Sequence, residues 1–560
     1  MRGYLLPQIV FWLCHISALV IVQAALLSLF GWKLIDWVRL HLGLHREVYL
    51  IKGGDTYALI LGENIATQDN PRRPPKKERL VVFLIEGGGE KEIREKAAHF
   101  GGIVQILDRN HDLSHYLGLI NPGKWNRRGR KYYVVFTQED ASVPGDIQLT
   151  VEFAKEKAVD SKNLDIFVVA ASEWDREKIE AITQAKEGGH RKNPYTIHII
   201  NEADLLARQM TEARPPFECP GLNFNKTGTA ARDFTVMILG FGTAGQYALL
   251  RLIMNGQFAG SRMRAIVVDR DIEHLSECFL HRHPSLDICC KIDFKNFDVR
   301  DKAFFELLKE TGNIDYIVAA LSGDGMNRQT ALDIRLYYER KGTALPFIAV
   351  YEKDGGPHDT GRDEKVFSFG CREAVYKEAV MIREETDRMA RVVHEVYGGN
   401  PPWQELDWVL QESNRASADF IPAMLRLAGL SEETAGKQQT LTSENELAET
   451  LAKTEHLRWN AFHAAMGFRP ISIEEMRRRF EKYSGEKNTR THLDFCRRDS
   501  KARLQVCLIT WDELDAVTEA YREVARKADN EKEQKRDFKD NDRSIIESIP
   551  KFLQAAKDKE

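Results

Sequence analysis

The sequence predicts an α/β protein with a transmembrane helix at its N-terminus, two tandem units built on parallel sheets, and a mainly α-helical C-terminal part. Three observations predict it. Residues 5–30 contain no charged side chain. From residue 47 short β-rich runs alternate with helical stretches in two separate series, as parallel α/β units require. Beyond Gly355 the strand signals fade and apolar residues recur at helical spacing. A chain of 560 residues exceeds one hydrophobic core, so the expected division is 1–46 (transmembrane helix and membrane-proximal segment), 47–215, 216–380, a helical connector at 381–440, and 441–560.

The uncharged run at 5–30 is long enough to cross a hydrocarbon core of about 30 Å as a helix. A secretory signal has a shorter apolar region and a small-residue cleavage site, and neither is present. Lys33, Arg39 and Arg46 follow the run while only Arg2 precedes it, so the bulk of the chain is expected on the cytoplasmic side of the inner membrane, behind a single pass. Residues 32–44 keep apolar groups at helical spacing and suit either a surface-lying helix or a stalk. One span cannot enclose a pore, so a channel role would need several protomers or a separate membrane subunit, and a homo-oligomer is expected.

The second series is the clearer. An apolar strand at 235–239 runs into Gly240, Gly242 and Gly245, which complete GxGxxG, and a helical pattern begins at Thr243. The next strand, 264–268, ends at Asp269. Gly240 permits the tight turn, Gly242 lets backbone approach a pyrophosphate, and Gly245 allows close packing of helix on strand, so this is a Rossmann-like unit. The phosphate would rest on the helix N-terminus. Asp269 would accept from ribose hydroxyls and repel a 2'-phosphate, favouring NAD or an adenine nucleotide over NADP, with Arg270 as the feature that argues the other way. Further strands are expected at 287–291, 316–320 and 347–351, and Ser322 follows the fourth at the ligand-gathering edge.

The first series has strands near 48–51, 80–85, 104–107, 133–136, 166–169 and 196–200. Its glycine pattern is incomplete: after Gly53 and Gly54, Asp55 stands where a second glycine is expected, and its side chain obstructs a phosphate. Glu86 ends the second strand, either as a ribose acceptor or as a solvated strand end. The Pro-rich basic stretch PRRPPKKER, 71–79, reads as an exposed loop.

A net charge of −4 with interleaved acids and bases lacks the sustained basic face that duplex nucleic acid needs. The eight cysteines show no CxxC pair and no secreted spacing, which suits a reducing compartment. Cys278, His281, His283, Cys289 and Cys290 lie close in sequence, but adjacent strand residues point to opposite faces, and no metal is expected. Nothing beyond the glycine loop supplies a positioned acid or base, so catalysis is not expected.

The segment FTVMILGFGTAGQYALL, 234–250, resembles the TrkA-N (RCK) nucleotide-binding domains that regulate potassium channels and uptake systems, and NEADLLARQM, 201–210, is similar to the helix linking paired domains of that kind. Further on, LAKTEHLRWNAFHAAMGF, 451–468, resembles the central motif of ryanodine-receptor repeat (RyR) domains. THLDF at 491–495, TWDEL at 510–514 and DNDRSIIESIP at 540–550 recur in the same order in bacterial members, and ESNRASAD, 412–419, resembles the element joining TrkA-N units to this domain. Phe468 replaces the tryptophan usual there, and the insert after Arg469 is long.

These resemblances imply a membrane-anchored, nucleotide-sensing regulator, controlling ion flux or serving as effector of a cyclic nucleotide second messenger in stress or antiviral defence. On the helix at 451–468, Glu455, His456, Trp459 and Asn460 could stack on a base and hydrogen-bond its edge, giving a second ligand site. The alternatives are a membrane-tethered NAD-dependent oxidoreductase and a passive scaffold with vestigial pockets.

Overall fold

The computed structural model of the chain describes residues 5–42, 45–68, 75–87, 89–108, 112–119, 130–137, 142–170, 194–353, 365–483 and 489–558, with residue 179 and the pairs 186–187 and 190–191. Arg2, Tyr4, residues 71–74 of the basic loop, and the side chains at 5–7, 9 and 25–32 lie outside what is described. The chain divides into two compact units, one of residues 1–201 and 376–383, the other of 202–375 and 384–560.

In the first unit, α1 (Leu5–Leu42) is one continuous helix. Between Val10 and Val22 its large apolar side chains are exposed, Trp12 at 63% and Ile21 at 67%. Its last turns are anchored: Leu40 is buried and Arg39 Nη2 donates to Gly101 O at 2.7 Å. Among the described residues no helix is long and apolar enough to cross a membrane. The span expected at 5–30 therefore finds no support among the described residues.

The strands β1 (Glu47–Lys52), β2 (Arg79–Glu86), β3 (Ile103–Leu107), β4 (Lys131–Phe136), β5 (Leu164–Ala170) and β6 (Thr196–Asn201) form a parallel sheet ordered β3-β2-β1-β4-β5-β6. This is the doubly wound order of a Rossmann-like fold. The helices α2 (Thr56–Thr67), α3 (Glu90–His99), α4 (Leu113–Leu119) and α5 (Val143–Glu156) lie between strands. β1, β2, β4 and β5 are apolar almost throughout because a parallel sheet is covered on both faces. Residues 376–383 return to this unit. Arg383 donates to Glu47 Oε1, Glu378 Oε1 and the Tyr133 hydroxyl, each at 2.9 Å, and the Tyr49 and Tyr133 rings stack 4.6 Å apart. Burial, with Glu47 beside it, pushes the Tyr49 phenol well above its ordinary range.

The second unit begins with α6 (Glu202–Ala213). Its strands β7 (Thr235–Leu239), β8 (Met263–Asp269), β9 (Cys290–Asn296), β10 (Tyr316–Ala319), β11 (Phe347–Tyr351) and β12 (Val366–Phe369) are parallel and ordered β9-β8-β7-β10-β11-β12, repeating the first topology. The third strand departs from the expected 287–291. Residues Leu286–Ile288 close a 3₁₀ turn, and the strand runs from Cys290 through alternating charged and apolar positions at the sheet edge. β12 was not expected: it lies at the sheet edge, where only Phe367 and Phe369 are buried, and gives no continuous apolar run. Between the strands lie α7 (Thr243–Asn255), α8 (Ile272–Arg282), α9 (Lys302–Thr311) and α10 (Asp324–Lys341).

After β12 the chain is mainly helical: α11 (Arg388–Val396), α12 (Trp408–Ala428), α13 (Asn445–Ala465), α14 (Ile473–Tyr483), α15 (Thr489–Arg497), α16 (Leu514–Lys527) and α17 (Lys539–Lys557). One apolar core runs from β7, β8 and α7 into α12, α13 and α17, while Met476, Trp511, Tyr521 and Phe538 belong to a separate core further along.

A buried ionic network crosses the first of these cores and explains two motifs. Arg251 of α7 pairs with Asp204 of α6 and with Glu412 and Asp419 of α12. Arg208 of α6 binds Asp419 and Asp387, and Arg415 of α12 binds Asp387 and Glu412. NEADLLARQM and ESNRASAD therefore supply opposite sides of one charge cluster. Burial alone would raise the Asp387 pKa, but the Arg415 and Arg208 guanidinium groups outweigh it and hold this carboxyl well below its usual range.

Candidate nucleotide site of the second unit

The glycine loop sits where β7 meets α7, at the C-terminal edge of the sheet. β7 lies between β8 and β10, so successive connections leave it in opposite directions and open a crevice there. The three glycines have different reasons to be glycine. Gly240 has φ +91°, and a Cβ on it would lie 2.4 Å from Ala320 O. A Cβ on Gly245 would lie 2.0 Å from Gly240 O, so the helix could not approach the strand. Around a Cβ on Gly242 there is nothing within 4 Å. Its φ of −67° and ψ of −173° suit any residue. The protein itself thus requires Gly240 and Gly245, and leaves Gly242 facing open space.

Gly242 caps α7, and no side chain accepts from the first amides of that helix. An uncapped N-terminus presents backbone N–H groups and the positive end of the helix dipole to whatever approaches. Thr243, the first helical residue, is exposed.

Asp269 ends β8, half-buried. Its Oδ2 accepts from Phe241 N at 2.7 Å and its Oδ1 from Asp271 N at 2.9 Å, which ties the acid to the glycine loop itself. Arg270 is turned toward Asp298, 3.8 Å from Oδ2, and Arg300 pairs with the same carboxylate at 2.6 Å. Arg300 keeps the Asp298 carboxyl well below its ordinary range. Ser322 is exposed just beyond β10. Gly240, Gly242, Thr243, Gly245, Asp269 and Ser322 therefore lie around the C-terminal ends of the three neighbouring strands β7, β8 and β10, with Arg270 paired to Asp298.

Asn327 was missed by sequence reasoning. Fully buried, it accepts from Leu321 N at 2.7 Å and donates to Leu321 O and Tyr351 O, fixing the turn that carries Ser322. A lone asparagine in a helical pattern gives no signal of this, because the carbonyl it binds belongs to a strand 24 residues away.

The second set of expected residues is brought together on α13, but three of its members turn inward. Arg458 clamps Glu455 through two bonds of 2.6 and 2.8 Å, both side chains buried; burial raises the Glu455 pKa and Arg458 opposes it. His456 Nε2 donates to Ile509 O at 2.9 Å while its Nδ1 meets Asp542 Oδ2 at 3.1 Å. Asn460 Nδ2 donates to the same Ile509 O at 2.6 Å. These groups pin α13 to the loop before α16 and to α17. Trp459 is only half-buried, its ring 3.8 Å from that of His463. Burial pushes His463 down to about 3, leaving it neutral.

Among the described residues no group of three or more His, Cys, Asp and Glu side chains is placed to hold a metal ion. No protein-family model matches this chain, and no curated protein matches it either.

Proposed function

We propose that the chain is a membrane-anchored regulator that binds NAD or an adenine nucleotide on the glycine loop of its second unit. One observation carries it: Gly242 has no partner in the fold that forbids a side chain, and it heads a helix with no side-chain cap. A pyrophosphate seated there would meet α7 amides, and Asp269 would receive the ribose hydroxyls. Arg270 and Arg300 are both paired with Asp298, and Asp269 would repel a 2'-phosphate, which favours NAD over NADP. The role is binding without turnover, since the sequence offers no positioned acid or base beyond the glycine loop. The resemblances to TrkA-N and RyR domains fit a protein that converts nucleotide occupancy into a signal, at an ion pathway or in a stress or defence response.

Calorimetry with NAD, NADP and AMP on the full-length protein tests this. Binding of NAD or AMP in the micromolar range, on the order of −8 kcal/mol, is expected, with NADP weaker and no change in nicotinamide absorbance. Gly242→Val should abolish the binding and leave the ligand-free melting temperature close to wild type. Undiminished affinity in that variant would remove the loop from consideration.

The membrane anchor rests on α1 from Val10 to Val22, whose large apolar side chains stay exposed among the described residues, while the sequence continues uncharged to Phe30. An exposed apolar surface of this kind needs a cover. The intact chain is expected to remain in the membrane pellet through an alkaline carbonate wash, and a chain lacking residues 1–46 to be soluble. Release of the intact chain by the wash would reduce α1 to a surface attachment.

A further inference from the structure

The first unit also has a cleft at its switch point, and its chemistry is different. A cavity of about 230 Å³ lies at the C-terminal ends of β1, β2 and β4. Its walls include Leu84, Ile85, Ile93 and Phe136, and its polar groups are Lys52, Asp55 and Glu86. The anion seat is already taken: Asp55 is the N-cap of α2, and its Oδ1 accepts from Ala58 N at 2.8 Å. A phosphate brought to this helix would face a carboxylate instead of bare amides.

Lys52 offers no compensation. Its Nζ lies 2.5 Å from Asp146 Oδ2 and 3.1 Å from Glu86 Oε1, and Ser142 Oγ accepts from it at 2.9 Å. Burial works against this ammonium, but Asp146 and Glu86 overcome it and raise its pKa. Asp55, Glu86 and Asp146 together outweigh the one cation. Gly54 serves the wall and no ligand, since a Cβ on it would strike Ile93 at 2.7 Å and Ile85 at 2.9 Å. The volume is also below the roughly 300–1,000 Å³ of sites for larger ligands.

We infer that this cleft binds a nucleoside without a 5'-phosphate, its base against Leu84, Ile85 and Ile93 and its ribose hydroxyls donating to Glu86. Glu86 is suited to that contact, as it ends the strand beside β1 and is 63% exposed. The same fold thus occurs twice in one chain, with an open phosphate seat in one copy and a self-occupied seat in the other.

The test uses full-length protein carrying Gly242→Val, so that binding at the second unit's loop is blocked and failure there is recognised separately by its own loss or retention of NAD binding. Calorimetry with adenosine, guanosine, cytidine and uridine should find at least one that binds, with its 5'-monophosphate at least about tenfold weaker. Adding Glu86→Ala should weaken the nucleoside at least about tenfold; Glu86 is too exposed for this to report on folding. Adding Asp55→Gly should raise monophosphate affinity relative to nucleoside by about tenfold, and glycine is itself a favoured N-cap residue, so α2 tolerates the change. The inference is overturned if none of the four nucleosides binds, if the monophosphate binds as well as the nucleoside with Asp55 in place, or if Glu86→Ala leaves binding unchanged.

Discussion

Arg251→Met is expected to loosen the second unit by about 3–5 kcal/mol, the usual cost of leaving buried charges without their partner. Arg251 is 2% exposed and faces Asp204, Glu412 and Asp419. Methionine fills much of its volume and answers none of their charge. Arg208 cannot take over, because its guanidinium is already committed to Asp387, Asp419 and Thr386 O. Hydrogen exchange in α6, α7 and α12 reads the effect, since all three helices contribute side chains to the same network. Faster exchange in all of them is expected, with partial recovery when Glu412→Gln is added. As a control, Arg335→Met removes an i,i+4 pair whose side chains are each 52% exposed, and exchange should not change. Unaltered protection in Arg251→Met would mean that water already screens the cluster.

Gly245→Ala is expected to cost about 3 kcal/mol, the upper range for forcing atoms into a packed site. The obstacle is Gly240 O, 2.0 Å from the new Cβ, and backbone cannot rotate away as a side chain would. α7 would have to lift from β7, carrying Arg251 with it. Gly242→Ala differs by one position-specific fact, the empty space around its Cβ, and should cost less than about 1 kcal/mol. Thermal melting of the two variants separates the glycine that holds the fold from the one left for a ligand. Equal melting temperatures would show that the loop relaxes freely and that the contrast between these positions has no consequence.

The sequence by itself determined the doubly wound units. All six strands of the first sheet and four of the second, β7, β8, β10 and β11, were readable, because a buried parallel strand is a local apolar run ended by a turn residue, and GxGxxG encodes a local turn. It also showed that Asp55 breaks the first glycine pattern, since that is a matter of one position. β12 and the true start of β9 were not readable: at a sheet edge the apolar signal is diluted by solvent-facing charges, as in Cys290–Asn296. Tertiary structure alone decided which polar side chains are inside. Glu455, His456 and Asn460 show the spacing of a ligand-facing set, yet Ile509 O and Asp542, far along the chain, bind His456, and Ile509 O also binds Asn460. The return of residues 376–383 to the first unit and the joining of Asp204, Arg251 and Asp419 in one cluster belong to the same class. A hydrogen bond or ion pair to a distant residue leaves no period in the sequence around either partner, so burial of a polar group is settled only when the chain has closed on itself.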